Sequence, residues 1–159
     1  MTAGHSDAPG RRLLDRPGFL VRRLHQIHLA LFAEECAQFD VTPVQYSIMT
    51  VAAEQPGLEQ ARLAHEVGID RTTLANVVAR LEGRGLVRRE ASESDRRLKR
   101  VYLTADGADL LGRMDGAAGR AHARTIAALP PADRALFLAL LRRLVDAGNA
   151  YGRAPLRLE

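Results

Sequence analysis

Gly68-Ile69-Asp70-Arg71-Thr72-Thr73-Leu74-Ala75-Asn76-Val77-Val78-Ala79-Arg80-Leu81 holds a helix stop, a helix start and a two-faced helix in one short run. Gly68 is the residue type that ends helices, because only glycine adopts the left-handed C-terminal conformation without cost. Asp70 is a helix-capping residue and predicts a helix from Arg71 to about Arg84. Leu74, Val77, Val78 and Leu81 fall on one face of that helix. The opposite face carries Arg71, Thr72, Thr73, Asn76 and Arg80. Arginine can fork onto guanine, asparagine can pair with adenine, and threonine can hold a phosphate or touch a thymine methyl. A short helix, a tight glycine turn and such a second helix predict a helix-turn-helix.

Downstream, Gly85 ends the helix, and Leu86-Val87-Arg88-Arg89 reads as a strand. Glu90 to Arg100 reads as a charged turn and Val101-Tyr102-Leu103 as the returning strand. The result is a hairpin, or wing, whose basic tip holds Arg96, Arg97 and Lys99. An arginine in such a tip can enter a narrow minor groove, where the negative potential is strongest. Asp95, two positions before Arg97, can accept its hydrogen bonds and fix its direction.

Upstream, a third helix is expected from Leu58 to Glu66, and before it a helix capped by Thr42-Pro43-Val44-Gln45 and stopped by Pro56-Gly57. The first helix is expected from Pro17 to near Phe39. Its apolar stripe of Leu20, Leu24, Ile27 and Leu31, widened by Val21, His28 and Phe32, is broader than a lone surface helix needs. Beyond the wing, Thr104-Ala105-Asp106-Gly107 starts a helix to about Leu129, in which Gly107, Gly112, Gly116 and Gly119 predict close helix approach. Pro130-Pro131 interrupts, and a last helix follows from Ala132 to Ala150. The expected fold class is mainly α, a winged helix-turn-helix in the order α-α-α-α-β-β-α-α with a helical dimerisation region. Its expected divisions are a mobile N-terminal arm (1–16), a dimerisation helix (17–41), the DNA-binding domain (42–104) and C-terminal dimerisation helices (105–159).

Composition narrows the function classes. The 159 residues are 47% hydrophobic but only 4% aromatic, with no Trp, so the core must be aliphatic. The formal charge of +4 is consistent with a polyanionic partner. Cys36 is the only cysteine, which excludes an intrachain disulfide and a cysteine zinc cluster. No stretch is apolar enough to span a membrane or act as a signal peptide, so a cytoplasmic protein is expected. No Ser/His/Asp order, phosphate loop or paired carboxylates suggest an enzyme, and no cofactor is expected.

Asp95-x-Arg97, followed by Leu103-Thr104 and Gly107, resembles the wing signature of the MarR family. Arg80-Leu81-Glu82-x-Arg84-Gly85-Leu86-Val87 resembles the end of its recognition helix, and Leu63-Ala64, Gly68-Ile69 and Thr72-Thr73-Leu74 fall where that family has its helix-turn-helix. The resemblance covers about Pro17 to Ala150. It implies a DNA-binding transcription regulator whose first and last two helices form a homodimer on double-stranded DNA. Arg97 would contact the minor groove, and Arg71, Thr72, Thr73 and Asn76 would fall at base- and phosphate-contacting positions.

It also implies a small-molecule effector between dimer helices and winged domain, where Arg22, Arg23, His25, His28 and Tyr46 are the polar candidates and Met49 an apolar wall. Pro17 to Ile27, followed by Thr42 to Tyr46, is similar to repressors of aromatic-acid degradation. The expected effector is therefore an aromatic carboxylate or its acyl-CoA thioester. Rival readings are a redox sensor using Cys36, a metal sensor drawing on Glu34, Glu35, Cys36, His25, His28 and His122, and a helical protein-interaction module without DNA binding.

Overall fold

The computed structural model describes residues 12–152; most of the expected N-terminal arm lies outside them. Six α-helices and three short strands run α1 (Pro17–Glu35), α2 (Pro43–Glu54), β1 (Leu58–Glu59), α3 (Gln60–Val67), α4 (Arg71–Gly83), β2 (Val87–Ala91), β3 (Lys99–Leu103), α5 (Ala105–Thr125) and α6 (Pro131–Gly148). The strands form one antiparallel sheet in the order β1-β3-β2.

Local chemistry explains most of the boundaries. Thr42 and Gln45 form the reciprocal capping box: the Gln45 N–H donates to Thr42 Oγ1 at 3.3 Å and the Thr42 N–H to Gln45 Oε1 at 2.9 Å. Gly68 ends α3 at φ 74°. The Thr73 N–H donates to Asp70 Oδ1 at 2.8 Å and caps α4. Thr104 caps α5 while its hydroxyl donates to the Gly85 carbonyl at 2.6 Å, tying the new helix to the end of the old one.

Four boundaries differ from expectation, one of them the end of α5 at Thr125 rather than near Leu129. α1 stops at Glu35; a 3₁₀ turn, Ala37–Phe39, carries the chain to Asp40, a non-glycine residue at φ 49°. Leu58 and Glu59 do not start α3 but pair with Val101 and Arg100 of β3. The wing strands also extend further than the sequence suggested, Ala91 pairing with Lys99, which leaves a shorter tip.

The core is aliphatic. Ile48 and Met49 of α2, Leu63 of α3, Leu74, Val78 and Leu81 of α4 and Met114 of α5 meet in it without exposure. Phe32 and Cys36 at the end of α1 join the same cluster. Ion pairs from Arg120 and Arg124 to Glu34 and Glu35 bind α5 to α1.

Of the α5 glycines only Gly107 is closely approached, and by the turn before β2 and the end of β3 rather than by a helix as expected. A Cβ on Gly107 would collide with the Leu86 carbonyl oxygen and lie 2.7 Å from Leu103 Cδ1. At Gly112 and Gly119 a Cβ would meet nothing within 4 Å, and at Gly116 only the far end of Arg120.

α6 stands apart energetically, because none of its residues is buried. Leu136 is 58% exposed and Leu144 69% exposed, with Leu140 and Val145 also exposed on the same helix. Leu20, Val21 and Ile27 of α1 are exposed as well, so the wide stripe of that helix is only partly covered by its own chain.

Candidate functional site

The polar face of α4 lies outside. Arg71, Thr72, Thr73, Asn76 and Arg80 are exposed, while Leu74, Val78 and Leu81 hold the inner face in the core. Asp70 is more than a backbone cap: Thr73 Oγ1 donates to Asp70 Oδ2 at 2.6 Å, and these bonds hold the Asp70 carboxyl below its usual range. The cap fixes the helix start from which Arg71 projects. It also engages the Thr73 hydroxyl in the free protein.

The wing tip is built to aim one arginine. Arg97 donates to Asp95 three times: from its backbone N–H at 2.9 Å, from Nε at 3.1 Å and from Nη2 at 3.2 Å. The side chain is nevertheless 90% exposed. The arginine lowers the Asp95 carboxyl below its ordinary value, so the clamp stays charged at neutral pH. Ser92 is buried at the base of the tip, where its N–H donates to the Leu98 carbonyl at 2.9 Å. Arg96 and Lys99 are exposed on the same tip.

Helix and wing converge. A cleft of about 210 Å³ is lined by Glu59, Gln60, Arg71, Arg97, Leu98 and Lys99, so the first residue of α4 lies beside the wing cations. A second depression joins Arg71 to Arg62 and His65 of α3. Gln60, Arg62 and His65 are not among the residues expected here; they border the same surface because β1 draws the start of α3 towards the wing. Arg89 is structural. It donates from its backbone N–H, Nε and Nη2 to Glu82 at 3.0, 2.9 and 2.5 Å, which locks β2 to α4 and lowers the Glu82 carboxyl. Arg88 lies over the Tyr102 ring at 4.3 Å and pairs with Glu90.

A second feature lies where α1, α2, α5 and α6 meet. One cavity of about 550 Å³ is bounded by His25 and His28 of α1, His122 and Thr125 of α5, and Phe137 and Leu141 of α6. A smaller one, about 270 Å³, is bounded by His28, Phe32, Tyr46, Thr50 and His122. His28 and His122 belong to both. Their rings stack at 4.9 Å between centroids and 23° between planes.

The Thr125 hydroxyl donates to the Ala121 carbonyl at 2.8 Å, so at 2.9 Å from His28 Nδ1 it accepts from that nitrogen. This sets the neutral ring as the Nδ1–H tautomer, with Nε2 as the acceptor. Burial, then His122, then His25 depress the His28 pKa below 6.5. Burial, followed by Asp115, raises the Tyr46 phenol, so it remains a donor.

The other effector candidates lie elsewhere. Arg22 sits over Phe19, with its guanidinium carbon 5.4 Å from the ring centroid, and Arg23 donates to Gln26 Oε1 at 3.1 Å. Neither lines the cavities, and Met49 is wholly inside the core. Cys36 is buried, and burial raises its thiol pKa, the opposite of what a reactive thiolate needs. Among the described residues no group of three or more His, Cys, Asp or Glu is arranged to hold a metal ion, and no helix is long and apolar enough to cross a membrane.

Comparison with known proteins agrees with this geometry. The MarR family model matches residues 41–99, from the start of α2 into the wing. The transcriptional regulator HosA of Escherichia coli O111:H- is 35% identical over 127 residues, covering 80% of this chain and 93% of its own. Among solved structures, PcaV of Streptomyces coelicolor with its natural ligand superposes with a TM-score of 0.79 at 32% identity, over 89% of this chain and 99% of that one. BpsR of Bordetella bronchiseptica, whose DNA binding is regulated by 6-hydroxynicotinic acid, gives 0.79 at 30% identity, over 82% and 94%. The repressor CouR on a 23-mer DNA duplex gives 0.79 at 28% identity, over 87% and 99%. With the helix-turn-helix, the Asp95–Arg97 wing and these relatives in agreement, the chain belongs to the MarR family of DNA-binding transcriptional regulators, which are not enzymes.

Proposed function

We propose that the protein is a ligand-released repressor that binds a pseudo-palindromic operator as a two-fold dimer, and that its effector is an aromatic carboxylate or the acyl-CoA thioester of one. The observation that carries the effector is the His28–His122 stack shared by two cavities, with Tyr46 on one side and apolar walls on the other. In the smaller cavity a single aromatic ring would lie against Phe32, and Tyr46 would donate to a ring substituent. A carboxylate would meet His28, whose protonation it favours. The larger cavity leaves room for the longer arm of a thioester. The regulation of BpsR by an aromatic acid supports this chemistry.

Dimerisation is supported by the exposed leucines of α6 and the uncovered half of α1, which a second copy would bury. The dimer would then comprise the helices outside 42–104, as the sequence suggests. On DNA, Arg71, Thr72, Thr73, Asn76 and Arg80 would face the major groove, and Arg96, Arg97 and Lys99 the adjacent phosphates and minor groove.

The test is calorimetric titration of 6-hydroxynicotinic acid into the free protein and into its complex with a duplex selected from a random library. By reciprocity the duplex must weaken the acid by the factor with which the acid weakens the duplex, commonly about 5- to 150-fold. Equal affinity for the acid with and without duplex would refute release. An affinity that His28→Ala and Tyr46→Phe leave unchanged would refute the cavity as its site.

A further inference from the structure

Arg84 joins two parts of the molecule that are distant in sequence. It is the C-cap of α4, the helix proposed to read the major groove. Its guanidinium reaches across to the joint between α1 and α2, where Nη1 donates to the Asp40 carbonyl at 2.6 Å and Nη2 to the Phe39 carbonyl at 3.3 Å. Both ends of this tie are anchored. Beyond Arg84, Gly85 turns the chain at φ 72°, and its carbonyl is held by Thr104 at the start of α5. At the joint, Asp40 occupies the left-handed region at φ 49°, where a residue with a Cβ is strained.

The joint also borders the smaller cavity from both sides. Phe32, one turn before the end of α1, lines it, and so do Pro43 and Tyr46 in the first turn of α2. An occupant that parts α1 from α2 would turn the short link between Glu35 and Pro43, which contains Phe39 and Asp40. The two carbonyls turn with it. The tie then either pulls the end of α4 along or breaks.

We propose that Arg84 is a positioning residue that transmits the state of the α1–α2 joint to the recognition helix. This rests on the reading that the effector binds between α1 and α2. The planar fork matters, since a guanidinium can satisfy two neighbouring carbonyls in fixed directions, whereas an ammonium on a flexible stem can satisfy one at a time. A merely structural Arg84 would cap the helix and leave the joint indifferent to DNA.

Reciprocity supplies a test that does not depend on knowing the effector. If the joint moves α4, seating α4 on DNA must restrain the joint. Hydrogen exchange of amides 38–46 is measured in the full chain, with and without the duplex selected from a random library. In the wild type, duplex binding slows these amides by about fivefold or more, the lower end of ordinary coupling. Arg84→Met reduces the slowing to less than about twofold while core amides of α2 and α4 keep their protection; Arg84→Lys is intermediate. Arg113→Met, which removes an arginine from α5 away from the joint, behaves as wild type.

The proposal is overturned if Arg84→Met slows as much as wild type, or if wild type shows no slowing. Should Arg84→Met lose its core protection, Arg84→Lys decides alone, and full slowing in that variant refutes the two-carbonyl tie. Failure of 6-hydroxynicotinic acid to bind would count against the effector reading and leave the duplex comparison decisive for Arg84.

Discussion

Arg97→Ala should change how DNA binding depends on salt while leaving the free protein intact. Each phosphate-proximal cation contributes about 0.9 to the slope of log affinity against log salt, so a dimer that loses two arginines loses about 1.8 from that slope. Between about 50 and 200 mM salt, a wild type with roughly 6–10 such contacts loses about 10³–10⁵ in affinity, and the variant should lose about tenfold less. The Arg97 side chain is 90% exposed, and its guanidinium hydrogen-bonds to Asp95. Surface changes of this kind stay within about 0.5 kcal/mol, which for a chain of this size moves Tm by about 2 °C or less. Asp95→Asn is the companion variant: it keeps the cation but weakens its clamp, so affinity falls at every salt concentration with little change in slope. Fluorescence anisotropy at four salt concentrations, with a thermal melt of the free proteins, reads all of this. An unchanged slope in Arg97→Ala, or a melting loss as large as that of a core truncation, would refute the assignment.

Gly107→Ala should destabilise the chain by about 1–3 kcal/mol or more in a urea melt, since its methyl meets the Leu86 carbonyl, whereas Gly112→Ala should stabilise α5 by up to about 1 kcal/mol. Leu144→Asp should yield monomers or unfolded chain in sedimentation at micromolar concentration, and an intact dimer would remove α6 from the interface. His28 has a depressed pKa in the folded state, so folding favours its neutral form. Its contribution is fully present above about pH 6.5 and is lost as pH falls through the folded value; His28→Gln should flatten that part of the stability profile. With His122, His25 and Tyr46 as the titratable groups around it, an anionic ligand bound beside His28 would draw a proton onto the imidazole. Affinity for 6-hydroxynicotinic acid should therefore rise from pH 8 to pH 6, as calorimetry in two buffers would show.

The winged helix-turn-helix was legible because its boundaries are local. Gly68, Asp70, Gly85, Thr42 and Thr104 act within one turn of themselves, and alternating or helical apolar spacing supplies the rest. Asp95 and Arg97 were legible for the same reason, being two residues apart. What escaped depends on distant partners. Leu58-Glu59 is too short to show a period, and becomes a strand only because β3 offers it hydrogen bonds. Glu82 and Arg89 lie in a helix and a strand, and only the turn at Gly85 brings them together. Arg22, Arg23 and Met49 sat in the right segments for an effector cavity, but helical phase turned the arginines outward and the methionine into the core. His122 lies nearly a hundred residues from His28, and no spacing rule could have stacked them.

β1 has one more implication. Because Gly57 and Leu58 bond to Val101 while Glu82 grips Arg89, the wing is stitched to the helix-turn-helix at its front and at its back. On the proposed reading, recognition helix and wing would travel as one block, and an effector would change where that block is carried rather than how its parts are arranged. The ranking of operator variants should therefore survive induction, with every site of equal half-site spacing weakened by the same factor. Such a regulator could acquire a new effector without relearning its targets.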